Sequence, residues 1–178
     1  MHILAPDVPR ATIDAEIAAA TYPGHVPSRW ALPLVAALDA SGAGWMRVHL
    51  DAHEFAALWL PAHAGEPCHG DAMTLGDGPD GGTLASLGAW LETHAETYAA
   101  ANPSCWGRIQ AARRQAPSCL VVSHTSVGDR LKPDHAPLVI VDGLHRALGA
   151  WLRGDRTGEV YLNKGKGTST QVTREARD

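Results

Sequence analysis

An aspartate, a histidine and an arginine stand around a glycine in the stretch DGLHR, residues 142–146. The apolar run PLVIV comes directly before it, and ALGAWLR follows with helical character. If a strand ends at Asp142 and a helix begins at Leu144, the first N–H groups of that helix have no partner within it. These donors and the helix dipole favour an anion such as phosphate. The stretch therefore predicts a phosphate-binding turn.

The side chains of this turn suit the same chemistry. Gly143 allows a sharp turn and a close approach of ligand to backbone, and His145 and Arg146 add donors to the rim. Asp142 could hold a metal ion, orient His145 or accept a proton from a substrate hydroxyl. Alternatively, Asp142 only caps the helix and the two basic residues are solvated. Histidine and arginine are unfavourable beside the positive end of a helix unless an anion is present, so the cluster favours function.

The same region resembles a known family. The segment VIVDGLHRALGAWLRGDRTGEVYL, with WGRIQAARRQAPSCLVVS before it, is similar to the signature of the ParB/sulfiredoxin superfamily. There, a strand ends in a DGxHR-type turn, a helix follows, and a short strand comes after a glycine. The resemblance covers about residues 104–163. It implies ATP or another nucleoside triphosphate with Mg²⁺, held at Gly143, Leu144, His145 and Arg146, with Asp142 as metal ligand or base.

Differences between this sequence and the family pattern favour one functional branch of the superfamily. Leu144 stands where sulfiredoxins carry their catalytic cysteine, which excludes thiol rescue. Only about two dozen residues follow the motif helix, whereas partition proteins continue into a helix-turn-helix DNA-binding domain. The net charge of −4 also argues against nucleic acid as a partner. The resemblance thus implies a phosphotransferase acting on a small hydroxylated metabolite, such as an amino acid.

Two other functions stay open at this point. The same pocket could perform non-phosphoryl chemistry on a small molecule, with His145 as acid or base, because a fold does not determine a function. A non-enzymatic nucleotide switch or nucleic-acid binder is the third hypothesis.

Further site residues are predicted outside the turn. Ser123, His124 and Thr125 end the preceding predicted strand, and they would face the same cleft if the two strands were neighbours. Local turn hydrogen bonds are the alternative for them. Glu54 could accept the proton of a substrate hydroxyl, or it could complete a capping box with Asp51.

Strands that alternate with helices predict an α/β fold with some parallel pairing. We expect a ParB/sulfiredoxin-like mixed sheet with flanking helices, preceded by a mainly helical N-terminal part around one strand, WMRVHL. The chain is expected to form a single domain, 1–178, made of an N-terminal part (1–103) with a long loop (61–82), the core (104–163) and a polar tail (164–178). The loop carries histidine, cysteine and acidic residues, but their spacing matches no zinc pattern.

Composition indicates the class of protein and its compartment. The chain has 178 residues and 45% hydrophobic residues, enough for a packed core. Its three cysteines, Cys68, Cys105 and Cys119, form no CxxC pair, which favours reduced thiols in the cytoplasm. No secretory signal and no membrane-spanning run is recognisable. We therefore expect a cytoplasmic protein with a small-molecule substrate and no membrane partner, and a homo-oligomer stays open.

Overall fold

The computed structural model describes residues 1–19, 31–61 and 81–165 of the chain. Within these ranges no helix has the length and apolar character needed to cross a membrane. The elements in chain order are β1 (His2–Ala5), α1 (Arg10–Ala19), α2 (Ala31–Asp39), β2 (Trp45–Leu50), α3 (Ala52–Ala56), β3 (Trp59–Leu60), β4 (Gly82–Thr83), α4 (Leu84–Ala101), α5 (Pro103–Arg114), β5 (Leu120–Ser123), β6 (Val139–Asp142), α6 (Leu144–Arg153) and β7 (Gly158–Asn163). The predicted α/β class is confirmed.

The strands of the described residues form one mixed sheet in the order β1-β2-β7-β5-β6-β3-β4. Strand β5 runs parallel to β7, and β3 runs parallel to β6. The other neighbours are antiparallel, including β5 with β6 and β2 with β7. The sheet is therefore mixed as predicted, and the ParB/sulfiredoxin-like form of it stays a prediction.

Helices cover both faces of the sheet, because successive side chains of a strand point to opposite faces. On β2, Met46, Val48 and Leu50 enter a core shared with α4, α5 and α6. Trp45 of β2 and Tyr161 of β7 enter a second core with α1 and α2. Polar side chains on the second face near the ends of these strands are therefore left to line a surface cleft.

The N-terminal part contains more strands than the sequence predicts. Strands β1, β3 and β4 were not predicted, and all three join the sheet that holds the DGLHR segment. β3 and β4 have two residues each, too few to show a period, and β1 is an edge strand with exposed apolar residues. Helix α5 begins at Pro103, directly after Asn102. Most of the predicted loop 61–82 and of the tail 164–178 lies outside the described residues.

Candidate functional site

The DGLHR turn forms the strand-to-helix junction that the sequence predicts. β6 ends at Asp142, Gly143 has a left-handed φ of 101°, and α6 begins at Leu144. Glycine is the residue that adopts this φ without strain. No side chain caps the helix. The predicted helix N-terminus is therefore present, and Asp142 is not its cap.

Asp142 and Arg146 bind each other. A guanidinium nitrogen of Arg146, Nη2, donates to the Asp142 carboxylate, and the two side chains are only 8% and 10% exposed. The other nitrogen, Nη1, donates to Ser118 Oγ at 3.1 Å and to the Cys119 carbonyl oxygen at 2.9 Å. Arg146 thus ties the start of α6 to β6 and to the segment before β5.

Arg146 also folds back over the turn. A Cβ atom placed on Gly143 would lie 3.1 Å from Arg146 Nη2 and 2.8 Å from a methyl carbon of Leu120. The space directly above the glycine is therefore filled by these two side chains. An anion would have to approach the turn from the outer side of the Arg146 guanidinium.

His145 points away from Arg146, into the core. It is 4% exposed, and its Nε2 lies 3.4 Å from the Cys105 sulfur. Tyr98 donates its hydroxyl to the same sulfur at 3.1 Å. The prediction that His145 and Arg146 share one solvent-facing rim is wrong, because consecutive residues of a helix face different directions.

Ser123, His124 and Thr125 do not share an edge of the sheet with the DGLHR turn. β5 and β6 are neighbours, as the hypothesis required, but they are antiparallel. Ser123 pairs with Val139, at the opposite end of β6 from Asp142. Ser123 Oγ accepts a hydrogen bond from the Thr125 amide, which is local turn chemistry. The expectation of a shared cleft is wrong.

Glu54 completes a capping box. Its carboxylate accepts from the Asp51 amide at 3.0 Å, and the Asp51 carboxylate accepts from the Glu54 amide at 2.9 Å. Glu54 also pairs with the N-terminal amine of Met1 at 2.6 Å. These bonds give the Glu54 carboxylate the structural role of a capping-box residue, which was the alternative to a role as proton acceptor.

A cleft of about 630 Å³ opens at the edge of the sheet where β5 and β7 begin and β2 ends. One face of α6 forms a wall of it through Arg146, Ala147, Ala150 and Arg153. The other polar residues around it come from α1, β2, the α5–β5 connection, the α6–β7 connection and β7: Glu16, Arg47, His49, Gln115, Ser118, Cys119, Asp155, Thr157 and Glu159. Of the residues predicted for the site, Arg146 alone contributes to this lining.

Several cleft residues were not predicted from the sequence, although signals for them exist. Arg47 and His49 are the polar positions of the alternating strand WMRVHL, so they share one face of β2. Arg153 follows Arg146 by seven residues, a spacing that places both on one helix face. It donates to Asp155 and to the carbonyl oxygen of Gln115 at 2.7 Å, which joins α6 to the end of α5.

Glu16 connects α1 to the sheet inside the cleft. Its carboxylate accepts from the Tyr161 hydroxyl at 2.6 Å and from the Cys119 amide at 3.0 Å. Burial raises the pKa of the Cys119 thiol, and the Glu16 carboxylate raises it further. Burial and the hydrogen bond to Glu16 likewise raise the pKa of Tyr161. Both side chains therefore stay protonated at neutral pH, and Cys119 is poorly suited to be a nucleophile.

These two raised pKa values predict a loss of stability in alkaline solution. Above the ordinary values of 9.0 for the thiol and 10.0 for the phenol, the unfolded chain releases protons that the folded chain keeps. The free energy of unfolding must then fall as the pH rises, by up to about 1.4 kcal/mol per pH unit for each group. Urea unfolding between pH 8 and 11 measures this slope. Tyr161→Phe should flatten it above pH 10, and an unchanged slope in that variant would contradict the assignment.

The residues at the turn do not fit a magnesium ion. Across residues 1–19, 31–61 and 81–165, no group of three or more histidine, cysteine or acidic side chains could hold a metal ion. Asp142, the predicted ligand, is already paired with Arg146. A metal there would have to break a buried ion pair.

Comparison with known proteins gives a family but no activity. The model of a family of unknown function, DUF6309, matches residues 33–169. This range includes β2, the DGLHR turn, α6 and β7, and it contains every residue that lines the cleft except Glu16. The comparison with curated proteins found no match, and the comparison with solved structures found none either. The resemblance to the ParB/sulfiredoxin superfamily stays a prediction, and the chain belongs to the DUF6309 family.

Proposed function

We propose that the chain binds a nucleotide in this cleft and transfers a phosphoryl group to a small hydroxylated metabolite. One observation carries the proposal: the helix that follows the DGLHR turn, α6, forms a wall of the cleft with Arg146, Ala147, Ala150 and Arg153. The resemblance implies phosphates over that helix. The volume of about 630 Å³ lies within the range of roughly 300–1,000 Å³ typical of small-molecule sites.

The cleft has both apolar and cationic residues in its lining, as a nucleotide requires. Ala150, which is half-buried, offers apolar contact for a base or sugar, whereas Ala147 and Phe55 are buried in the core. Arg146 is held in place by Asp142, and its three named hydrogen bonds leave about two of its five N–H donors for a ligand. A guanidinium fixed in advance binds an anion at a smaller entropic cost.

Phosphoryl transfer depends mainly on positioning and on stabilisation of charge, which arginines supply. A carboxylate that accepts the substrate proton completes the reaction. Asp142 and Glu54 do not line the cleft, so neither serves in this proposal. The cleft has its own carboxylates, and we assign this role to one of Glu16, Asp155 and Glu159.

The geometry gives less support to the two other hypotheses. His145 contacts the Cys105 sulfur in the core and does not line the cleft, so an acid–base role for it there has no structural support. The net charge of −4 does not favour a nucleic-acid partner.

Calorimetric titration of ATP, ADP and CTP, each with and without magnesium, tests the proposal. We expect at least one of them to bind the wild-type chain. Ala150→Phe, on the α6 wall, and Thr157→Trp, at the exposed rim, should each weaken that binding about tenfold or more by filling the cleft. Ala100→Phe, on the exposed side of α4, is the matched control and should bind normally.

Two results would contradict this function. Binding of none of the three nucleotides would remove it. Equal binding by the wild type and both blocking variants would place the nucleotide outside the cleft. Thermal unfolding of each variant shows whether a loss of binding reflects a loss of fold.

A further inference from the structure

Two basic side chains on β2 face the cleft together. Arg47 and His49 are two residues apart on one strand, so they share a face of the sheet. In the antiparallel pairing of β2 with β7, His49 lies directly opposite Glu159. All three side chains line the same cleft as α6.

Arg47 binds the Glu159 carboxylate through only two of its three guanidinium nitrogens. Both Nε, at 2.9 Å, and Nη2 donate to the same oxygen, Oε2. Within the described residues the Arg47 Nη1 group forms no hydrogen bond to an oxygen or nitrogen atom, and the Arg47 side chain also interacts with the Cys119 thiol. The Arg47 and Glu159 side chains are 44% and 39% exposed. The pair is therefore open to solvent on the side of the cleft.

His49 is half-buried beside this pair. Its ring nitrogens have no hydrogen-bond partner in residues 1–19, 31–61 or 81–165. A half-buried imidazole that faces a cleft without a partner can bind a ligand without breaking any existing bond. Together with Arg47 Nη1, it offers hydrogen-bond donors to a ligand in the cleft.

We infer that Arg47 and His49 form the oxyanion site of the cleft, where the Glu159 carboxylate occupies Arg47 until a ligand replaces it. The inference rests on the proposed function for the identity of the ligand. The oxyanion is then a phosphate of the nucleotide or the carboxylate of the acceptor metabolite. Both present two or more oxygens to a guanidinium fork.

The exchange is energetically favourable. A solvent-exposed ion pair contributes little, typically about 0–1 kcal/mol, so releasing Glu159 costs little. A ligand oxyanion keeps the Arg47 bonds and adds those from Nη1 and His49. By contrast, the buried pair of Arg146 with Asp142 cannot open cheaply. Arg153, the third arginine of the cleft lining, is held by Asp155 and by three carbonyl oxygens. Arg47 has fewer bonds to give up, so it is the arginine whose partner is exchanged most easily.

NMR titration of the full-length chain tests this site directly, with the ring signals of His49 assigned through a His49→Gln variant. The probes are inorganic phosphate, L-serine and ADP. Phosphate reports a phosphate site, and L-serine reports a carboxylate site. We expect either phosphate or L-serine to shift the His49 signals, and we expect the shift to saturate as the concentration of that probe rises.

Two substitutions that each remove a charge should then change the affinity for that probe in opposite directions. Arg47→Ala should weaken its binding about 10–100-fold, because hydrogen bonds to charged groups are lost. Glu159→Gln should strengthen it about two- to fivefold, because the competing carboxylate is removed. Arg114→Ala and Glu96→Gln, both at exposed positions outside the cleft, carry the same charge changes and should have no effect.

The outcomes separate this inference from the proposed function. The inference is overturned if neither phosphate nor L-serine moves the His49 signals in the wild type and in Glu159→Gln. It is also overturned if Arg47→Ala and Glu159→Gln leave the affinity unchanged. If ADP still binds in those cases and Thr157→Trp blocks it, the nucleotide cleft stands without this site. If phosphate binds at Arg47 and no nucleotide binds, the oxyanion site stands and the phosphotransferase falls.

Discussion

Replacing Arg146 by alanine should lower the free energy of unfolding by about 3–5 kcal/mol, the usual cost of leaving one member of a buried ion pair alone. The pair with Asp142 is about nine-tenths buried, so the remaining carboxylate would face little water. The variant also loses the bonds to Ser118 Oγ and to the Cys119 carbonyl oxygen. These bonds hold the start of β5 against α6, and their loss should open the adjoining cleft.

A double-mutant cycle in urea measures this coupling. Asp142→Ala should cost nearly as much as Arg146→Ala, and the double variant Asp142→Ala/Arg146→Met should cost clearly less than the sum, since no lone charge remains. Glu92→Ala removes one partner of the exposed pair with Arg156 and serves as the control, with an expected cost below about 1 kcal/mol. A similarly small cost for Arg146→Ala would show that the buried pair is not formed.

Replacing Gly149 by alanine should destabilise the chain by about 1–3 kcal/mol, although alanine is the better helix former. Gly149 lies in the buried face of α6 where it crosses α5. A Cβ atom there would lie 2.7 Å from the Arg113 amide nitrogen and 2.9 Å from the Ala112 Cβ. Backbone atoms cannot move aside as a flexible side chain can, so the overpacking exceeds the gain in helix propensity of about 1 kcal/mol.

Gly107 of α5 gives the matched control. It is exposed, and a Cβ atom placed on it meets nothing within 4 Å. Gly107→Ala should therefore stabilise the chain by up to about 1 kcal/mol. Chemical unfolding of the two variants should give free-energy changes of opposite sign. A stabilising Gly149→Ala would mean that α5 and α6 do not cross as closely as described.

The sequence predicted the local structure around the turn well, because the signals there are strong. The apolar run before Asp142, the glycine at 143 and the periodic helix after it each have a clear physical cause. The Asp51 and Glu54 capping box was likewise among the predicted alternatives. Such features depend on neighbours in sequence, so composition and spacing suffice to predict them.

The direction of β5 relative to β6 could not be predicted in the same way. The two segments would have similar patterns in either direction, and the choice depends on the long connection between them and on the pairing of both with distant strands. That choice decides whether Ser123 lies near Asp142, and the antiparallel pairing separates them. Alternation alone cannot show which strand ends meet.

Most of the residues that line the cleft could not be predicted from the sequence, for a related reason. Arg47 and Glu159 are 112 residues apart in sequence, and only the pairing of β2 with β7 brings them together. The sequence also suggested a common rim for His145 and Arg146, but the helix turns them to different sides. The DGLHR motif therefore locates the cleft, while the residues that face it come mostly from elsewhere in the chain.

A crystal structure of the chain grown with ADP would show whether the cleft beside α6 is a nucleotide site. We expect phosphate density within hydrogen-bond distance of Arg47 or Arg146, and the base or sugar against Ala150. An empty cleft at saturating ADP, or a nucleotide bound at another part of the surface, would contradict this expectation.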